Sequence, residues 1–416
     1  MPRLRRQFDI FQTLHERKVV KVKFAIMGHG VVGSGTAQLF MRNRDKIEMA
    51  VGESMCLKYI LDIKDFTELE YNNLFIKDFS IIENDPEVST VVETIGGTGA
   101  AFEFVSRCLK AGKNVVTSNK EMIATRGTEL MGYAKQSGAM LKFEASVGGG
   151  VPLLKPINQC LAADKFSSVY GILNGTTNFI LTKMETDNMS FEDALATAKK
   201  LGYAELNPSA DVDGHDCARK TSILSGLCFK KHPQPDIIPT TGIRQITLDD
   251  IKLARACGGC IKLIGRAKPV GNGVSACVRP MVVDNSNQLS SVNDVFNGII
   301  VDGDATGDVM FYGKGAGKFP TASAVISDVI DCTREKQSQR NMFWEDTTSF
   351  IPDDSKYEFL LRVNETDTKK LALLGNLRRL SAGNAVGYIA GLFTDSELEG
   401  KLKELSITAT VFPILK

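Results

Sequence analysis

Acidic and basic side chains are unusually dense between residues 202 and 220. Within this stretch Asp216 and Lys220 lie four residues apart, a spacing that places both on one helical face, with the acid toward the N-terminus as an ion pair prefers. Apolar residues follow Lys220, so we expect the lysine to be partly buried. A desolvated lysine beside a carboxylate is a common acid or base near neutral pH. On spacing alone, an ion pair on a helix surface is an equal alternative.

A glycine-rich turn near the start of the chain suggests a second chemical function. Gly28, Gly30 and Gly33 form the pattern G-x-G-x-x-G between a short apolar run and a helical pattern. Such glycines permit a tight turn, close approach of a pyrophosphate, and packing of the helix on the strand. The start of the helix, at Val31 and Val32, offers free N–H groups to phosphates. The pattern predicts a dinucleotide site.

The identity of the dinucleotide depends on the residues around the end of the second predicted strand. Asp62 ends the second predicted strand, where an acid would bind a ribose 2′-hydroxyl and repel a 2′-phosphate. Lys58 and Lys64 flank it and would accommodate that phosphate. The pattern leaves NAD and NADP open, with a slight preference for NAD.

Two further strand ends are expected near a nicotinamide. One carries Thr94 and Gly96, and the next carries Ser118 and Lys120. Ligands of open α/β sheets bind beyond the carboxyl ends of the strands, so these residues are expected to face the cofactor. For Lys120 the alternative is an exposed lysine in the first turn of a helix.

Alternating strands and helices in the first part of the chain predict a Rossmann-type parallel sheet domain. The pattern then loosens into an α+β domain, and a glycine-rich turn at residues 312–317 precedes a helix that is expected to return to the first domain. A small α+β module ends the chain. The predicted boundaries are 1–20 for an N-terminal extension, 21–152 for the dinucleotide-binding domain (completed by about 310–335), 153–309 for a substrate-binding and dimerisation domain, 336–354 for a linker, and 355–416 for the last module.

Composition excludes several classes of protein. The 416 residues include 50 basic and 49 acidic side chains, so the basic excess typical of nucleic-acid or membrane-surface binding is absent. No apolar run is long enough to span a bilayer. The nine scattered cysteines, including a lone Cys-x-x-Cys at residues 257–260, are expected to be structural thiols. A cytoplasmic location is expected.

Between about residues 21 and 331 the chain resembles homoserine dehydrogenase. Taken in order, the set of matching motifs is far more specific than the glycine turn alone. They are the glycine turn and residues 115–120, 143–152, 171–178, 202–220, 315–317 and 320–325.

The resemblance implies NAD(P)-dependent reduction of L-aspartate 4-semialdehyde to L-homoserine, on the route to threonine and methionine. It implies that Lys220 donates the proton to the aldehyde oxygen, that Lys120 assists near the nicotinamide, and that Asp216 orients or tunes Lys220. Two lysines would stabilise the negative charge that develops on that oxygen. Because hydride supplies the electrons, the reaction requires no catalytic cysteine or metal.

The same resemblance implies the binding residues. Glu205 and Asp211 would hold the substrate ammonium, and a pocket would be lined by Gly175, Thr176 and Tyr203. The turn containing Gly315 and Gly317 would lie against the cofactor.

A structural sodium ion is also implied, near Glu144 and the carbonyls of Val147, Gly149 and Val151. Oxygen ligands of this kind suit a hard cation. The alternative is a glycine-rich hinge without an ion.

The last module matches less well. It resembles a diverged ACT-like domain with a ferredoxin-like fold, although the turn after its first strand, at residues 364–370, lacks the usual Asp-x-Pro-Gly. The family implies a homodimer or homotetramer. Whether threonine or another amino acid regulates the chain, and what residues 1–20 do, stay open.

Four other functions share features with this sequence. A related oxidoreductase acting on another amino-acid semialdehyde and an inactive dinucleotide-binding regulator both stay open, although the retention of both lysines disfavours the regulator. An acylating aldehyde dehydrogenase is disfavoured because no cysteine lies in a nucleophile motif. A fused kinase is not expected, because only about 20 residues precede the first strand.

Overall fold

The computed structural model describes residues 22–334, 342–347, 351–364 and 367–416. The predicted N-terminal extension and part of the predicted linker lie outside these residues. All nine cysteines lie within them and are free thiols, as expected.

The first domain contains a six-stranded sheet in which every pairing is parallel. Its strand order is β3-β2-β1-β4-β5-β6, the order of a dinucleotide-binding doubly wound fold, so the predicted fold class is confirmed. The strands are short and their central residues are buried, as a sheet covered on both faces requires. They are β1 Val22–Met27, β2 Met55–Leu61, β3 Phe75–Ile76, β4 Val88–Glu93, β5 Asn114–Thr117 and β6 Leu141–Lys142.

Helices connect these strands. They are α1 Val31–Arg42, α2 Arg44–Val51, α3 Ser80–Asn84, α4 Ala100–Lys110 and α5 Lys120–Ser137. Helix α5 begins where the Asn119 side chain accepts a hydrogen bond from the Met122 N–H, and it ends at Gly138 in the left-handed conformation. Asn119 therefore places Lys120 in the first turn of α5, beyond the end of β5.

A second, nine-stranded mixed sheet has the order β12-β11-β7-β9-β10-β17-β14-β16-β15. Its first part comprises β7 Phe166–Ile172, β9 Gly259–Val270, β10 Gly273–Asp284, β11 Phe296–Gly303 and β12 Gly307–Lys314. The accompanying helices are α6 Leu154–Gln159, α7 Gly175–Thr186, α8 Phe191–Lys200, α9 Ser209–Val212, α10 His215–Phe229 and α11 Leu248–Cys257. Helix α10 is buried on nearly every side between the domains.

The prediction of a glycine-rich turn at residues 312–317 is wrong for the first three of these residues. Tyr312, Gly313 and Lys314 pair with β11 as the end of strand β12, and only the residues after them form the turn. The helix that follows, α12 Lys318–Arg334, returns to the first domain as expected. It approaches α1 so closely that a Cβ at Gly35 would lie 2.8 Å from the Lys318 backbone oxygen.

Residues 342–347 lie between the domains. Their strand, β13 Glu345–Thr347, pairs in parallel with β8 Lys231–Pro233. The preceding residue, Trp344, is fully buried.

The last part of the chain has the βαββαβ connection of a ferredoxin-like unit. Its elements are β14 Tyr357–Val363, α13 Thr368–Leu371, β15 Leu377–Ala382, β16 Ala385–Phe393, α14 Asp395–Glu404 and β17 Ala409–Leu415. Strand β17 also pairs in parallel with β10, through Ile414 opposite Val282, so this unit extends the sheet of the second domain. No helix among the described residues is long and apolar enough to cross a membrane.

One charged contact joins this unit to helix α11. The Arg362 guanidinium donates to both oxygens of the fully buried Asp250 carboxylate, at 2.6 and 3.1 Å, and Asp250 also completes the capping box of α11 with Thr247. Replacing Arg362 with methionine leaves that buried charge without its cation. We expect Arg362→Met to lower the free energy of unfolding by about 1–3 kcal/mol, measured by urea denaturation.

The matched control is Lys370→Met. Lys370 pairs at 3.4 Å with Asp367 and its side chain is 46% exposed, so the expected change is under about 0.5 kcal/mol. Equal effects of the two substitutions would contradict a special role for the buried contact.

Candidate active site

One buried carboxylate joins two lysines from different domains. Asp216 Oδ1 lies 2.8 Å from Lys120 Nζ, and Asp216 Oδ2 lies 2.7 Å from Lys220 Nζ. Asp216 is only 4% exposed, and Lys220 is also buried. The predicted pairing of Asp216 with Lys220 within α10 is confirmed, and the pair is buried and not on the helix surface. The structure adds Lys120, which belongs to α5.

The charges of this cluster shift the pKa values of Asp216 and Lys120. Burial alone would raise the pKa of Asp216, but the charges of Lys220 and Lys120 outweigh it and hold this pKa well below its ordinary value. The charge of Asp216 in turn raises the pKa of Lys120 above its ordinary value, against the opposing effect of burial. Asp216 is therefore ionised and Lys120 is protonated at neutral pH.

Lys220 has a second acceptor at the end of β7. Its Nζ donates to the Leu173 carbonyl oxygen at 2.7 Å, and the same oxygen accepts a hydrogen bond of 3.1 Å from Asn297 Nδ2. A carbonyl and a carboxylate thus fix the direction of the ammonium group.

Asn174, which sequence analysis did not single out, organises the acidic side of the site. Its Nδ2 donates to Asp211 Oδ1 at 2.7 Å and to Asp216 Oδ2 at 2.8 Å, while its Oδ1 caps helix α7. Burial, followed by the charge of Asp216, raises the pKa of Asp211. The Asn-Gly-Thr-Thr sequence that starts α7 was visible as an N-cap signal, but its contacts to Asp211 and Asp216 were not.

The lysines line a cleft of about 700 Å³ between the two domains. Most of the predicted substrate and nicotinamide residues share this cleft. Those that line it are Val31, Val32, Ser118, Lys120, Gly149, Gly175, Thr176, Tyr203, Glu205, Asp211, Asp216, Lys220, Gly315 and Gly317.

An exposed loop forms one wall. Thr176 Oγ1 donates to the Tyr203 carbonyl oxygen at 2.7 Å, which ties the loop to the start of α7. Glu205 follows in the same loop and is exposed. Two acidic side chains, Glu205 and Asp211, therefore face the cleft from the side of the second domain.

The glycine turn has the geometry expected of a dinucleotide-binding loop. Gly28 has φ +93°, and a Cβ there would lie 2.8 Å from the Thr94 backbone. A Cβ at Gly33 would lie 2.0 Å from the Gly28 carbonyl oxygen. Gly30, by contrast, has no atom within 4 Å of a Cβ position, so space is open beside the loop where a phosphate would approach.

Asp62 lies directly against this turn. Its Oδ2 accepts a hydrogen bond of 2.6 Å from the His29 N–H, and its Oδ1 accepts one of 2.9 Å from the Lys64 N–H. Lys58, one of the two lysines that could accommodate a 2′-phosphate, pairs with Asp85 and with Glu87.

A fully buried glutamate holds the loop after β4, where the nicotinamide is expected. Glu93 Oε1 accepts hydrogen bonds from the Ile95 N–H at 2.7 Å and from the Gly96 N–H at 2.9 Å, and Oε2 accepts one from the Thr117 hydroxyl. Burial raises the pKa of Glu93. The Glu93 side chain thus shapes the loop that contains Gly96.

The proposed cation loop is tightly held by hydrogen bonds. The Glu144 carboxylate accepts three backbone N–H bonds at the start of α6, from Leu153, Leu154 and Lys155. A carboxylate has about four acceptor positions, so about one is left. Gly149 packs against the turn after β12, where a Cβ would lie 2.3 Å from the Gly315 oxygen.

Comparison with known proteins agrees with this geometry. Residues 28–144 match a family model for the NAD-binding domain of homoserine dehydrogenase, and residues 152–330 match the model described as homoserine dehydrogenase. The homoserine dehydrogenase of Lactococcus lactis is 36% identical over 366 residues, which are 85% of this chain and 85% of that protein. The chain belongs to the homoserine dehydrogenase family.

Solved structures of the family extend the likeness to the whole fold. The homoserine dehydrogenase of Thiobacillus denitrificans matches with a TM-score of 0.85 and 29% identity, over 95% of this chain and 98% of that chain. A hyperthermophilic archaeal homoserine dehydrogenase in complex with NADPH matches with a TM-score of 0.65 and 26% identity, over 77% of this chain and 100% of that chain. The protein is thus an NAD(P)-dependent oxidoreductase of this family.

The open space at Gly30 generates a prediction about the cofactor. A methyl group there meets no protein atom, so Gly30→Ala should leave the unfolding temperature unchanged. A bound pyrophosphate needs that space, so we expect the Kd for NADH or NADPH to rise about tenfold or more, measured by fluorescence titration.

Gly400→Ala is the control, because its Cβ position is equally open but lies in helix α14, outside the glycine turn. Undiminished cofactor affinity in Gly30→Ala would mean that the pyrophosphate does not lie against this loop.

Proposed function

We propose that Lys220 and Lys120 carry the acid–base chemistry of homoserine dehydrogenase in this chain. The reaction of the family is the reversible reduction of L-aspartate 4-semialdehyde to L-homoserine. The observation that supports the lysine roles is the placement of both ammonium groups on Asp216, at the wall of the interdomain cleft.

In this proposal the reduced nicotinamide supplies the hydride when it is bound. Lys220 then transfers a proton from Nζ to the aldehyde oxygen as it becomes an alkoxide, and accepts that proton in the reverse direction. Lys120, protonated because of Asp216, stabilises the developing negative charge. Asp216 and the Leu173 carbonyl hold the Lys220 ammonium in one direction.

The acidic wall of the cleft suits the amino group of the substrate. We assign ammonium binding to Glu205 and Asp211, with Gly175, Thr176 and Tyr203 shaping the pocket around them. Asn174 keeps Asp211 next to the reacting lysine. Contacts at the substrate's far end would thereby fix the aldehyde in front of Lys220.

Removal of the Lys220 ammonium tests this role. Lys220→Ala should lower kcat for L-homoserine oxidation by about 10²–10⁴-fold, the usual contribution of a general acid or base. The Kd for the cofactor should change little, because the lysine acts on the alkoxide and not on phosphate groups. Lys199→Ala, on the exposed end of α8, should behave as wild type. Retained turnover in Lys220→Ala would refute the role.

For the cofactor, we propose a preference for NAD. Asp62 presents a carboxylate beside the glycine turn, and Lys58 is engaged elsewhere. Asp62→Ala should therefore raise the NADP to NAD ratio of kcat/KM by about tenfold. Because Asp62 also fixes the glycine turn, both cofactors should lose affinity, and the ratio is the decisive quantity.

Asp65→Ala is the matched control for Asp62, since Asp65 is exposed and pairs only with Lys77 among the ion pairs of the described residues. An unchanged cofactor ratio in Asp62→Ala would place the discrimination elsewhere.

We also propose a structural sodium ion at the loop of Glu144, with the carbonyls of Val147, Gly149 and Val151 as further ligands. These oxygens suit a hard cation, and Glu144 keeps about one acceptor position free. The unfolding temperature should be higher in sodium chloride than in tetramethylammonium chloride at equal ionic strength. Equal temperatures would favour a hinge without an ion.

For the last unit, we propose a diverged ACT-like domain that contributes to assembly of a homodimer or homotetramer. The βαββαβ connection with the order β17-β14-β16-β15 supports the ferredoxin-like part of this assignment.

A further surface for assembly lies on the second domain. Edge strand β12 carries the exposed Tyr312, which stacks on Phe296 and offers an apolar surface for a second copy.

A further inference from the structure

The only tryptophan in the chain lies between the two helices that carry the catalytic lysines. Trp344 is fully buried. A Cβ at Gly226 of α10 would lie 2.6 Å from Trp344 Cδ2, and one at Gly127 of α5 would lie 3.1 Å from Trp344 Cζ2. Both helices therefore present a glycine to the indole, which lets them approach it closely.

Two aromatic contacts hold the indole in place. Its ring is stacked on His232, with centroids 4.9 Å apart and an interplanar angle of 8°. Phe143, from the first domain, contacts it edge-on at 5.7 Å. The indole thus packs against both domains at once.

A chain of hydrogen bonds runs beside the indole. Asp346 Oδ1 accepts from Thr128 Oγ1 of α5 at 2.7 Å and lies 2.9 Å from His232 Nδ1. His232 Nε2 lies 2.8 Å from Ser222 Oγ of α10. Residues 342–347, here called the connecting segment, are therefore bonded to both lysine-bearing helices.

The order Ser222, His232, Asp346 is that of a hydrolytic triad, but its geometry argues against hydrolysis. Ser222 is fully buried, and its hydroxyl donates to the Pro233 carbonyl oxygen at 2.6 Å. A nucleophile needs access to substrate and a free proton-transfer path to its base. The arrangement is therefore mechanical, and it joins the connecting segment to α10.

Each lysine lies on the N-terminal side of the glycine by which its helix contacts Trp344. Lys120 precedes Gly127 by seven residues and Lys220 precedes Gly226 by six, which at 1.5 Å per residue is about 10.5 Å along α5 and about 9 Å along α10. A change of about 5° in the crossing would therefore move a lysine backbone by about 1 Å. A displacement of that size is enough to cost about 10²-fold in rate.

We propose that the connecting segment is a clamp that sets the crossing of α5 and α10, with Trp344 as a positioning residue for Lys120 and Lys220. The inference rests on the proposed catalytic roles of the two lysines. The connecting segment precedes the C-terminal unit in the chain, so the clamp also links that unit to the active site.

Two variants test the clamp from opposite sides. Trp344→Phe removes volume but no hydrogen bond, because Trp344 Nε1 has no partner among the described residues. Gly226→Ala places a methyl group against the indole. Because alanine forms helices better than glycine does, a loss of rate in this variant cannot be attributed to a weaker helix α10. We expect kcat for L-homoserine oxidation to fall about tenfold or more in both, with KM for the cofactor within about twofold.

Matched controls lie next to each change. Phe343→Ala removes a half-exposed aromatic ring from the same segment, and Gly132→Ala adds a methyl group to α5 at a position with no atom within 4 Å. Both should retain the wild-type kcat. A wild-type kcat in Trp344→Phe and Gly226→Ala, or an equal loss in the controls, would overturn the proposal.

Amide hydrogen exchange gives a second measurement that needs no substrate. Disturbing the clamp, by lost volume or by an added methyl group, should speed exchange in the first turns of α5 and α10 in both test variants. Exchange should be unchanged in the controls. Unchanged exchange overturns the clamp whatever the activity. An inactive wild-type protein would instead contradict the proposed function, which keeps the two failures distinguishable.

Discussion

The active site depends on one buried anion. Asp216 accepts an ammonium group on each of its carboxylate oxygens, and neither lysine could be held so close to the other without that charge between them. Because Lys120 belongs to the nucleotide-binding domain and Lys220 to the second domain, this contact also links the two domains. The remaining features of the site, such as the Leu173 carbonyl and the amide of Asn174, orient the three charged groups.

The chain reaches this arrangement by crossing between its domains several times. Helix α12 returns to the first domain, residues 342–347 pack between α5 and α10, and β17 joins the C-terminal unit to the sheet of the second domain. The final strands therefore belong to the same continuous sheet whose strand β7 leads to Leu173, the carbonyl that accepts from Lys220. A unit that the sequence presents as a separate module is thus physically continuous with the catalytic part.

Local sequence patterns predicted an element well where the spacing of its residues and the residues that end it indicated the same structure. The first strand of the last module was predicted to be followed by residues 364–370, and β14 does end at Val363. The ion pair of α10 followed from the spacing of Asp216 and Lys220. Strand β12 was missed at 312–314 because a glycine-rich sequence indicates a turn even where the backbone pairs with a neighbour. Helix α7 was not predicted, although Asn174 marks its start.

Contacts between distant residues could not be read from the sequence. Lys120 and Asp216 are 96 positions apart, and Trp344 lies in a stretch whose polar composition predicted only a linker. Its burial depends on the glycines that face it, a relation that exists only after the domains pack. Asp62 was predicted at the end of the second strand and follows β2 directly, but its contact with the His29 N–H was not foreseen. The pairing of Lys58 with Asp85 and Glu87 was not foreseen either.

The most direct test of this account is oxidation of L-homoserine by the purified protein at alkaline pH. Formation of reduced nicotinamide would be followed by absorbance, with NAD and NADP in parallel. The account predicts saturable turnover that requires homoserine. Measurable cofactor binding without turnover on homoserine, with either cofactor, would contradict it.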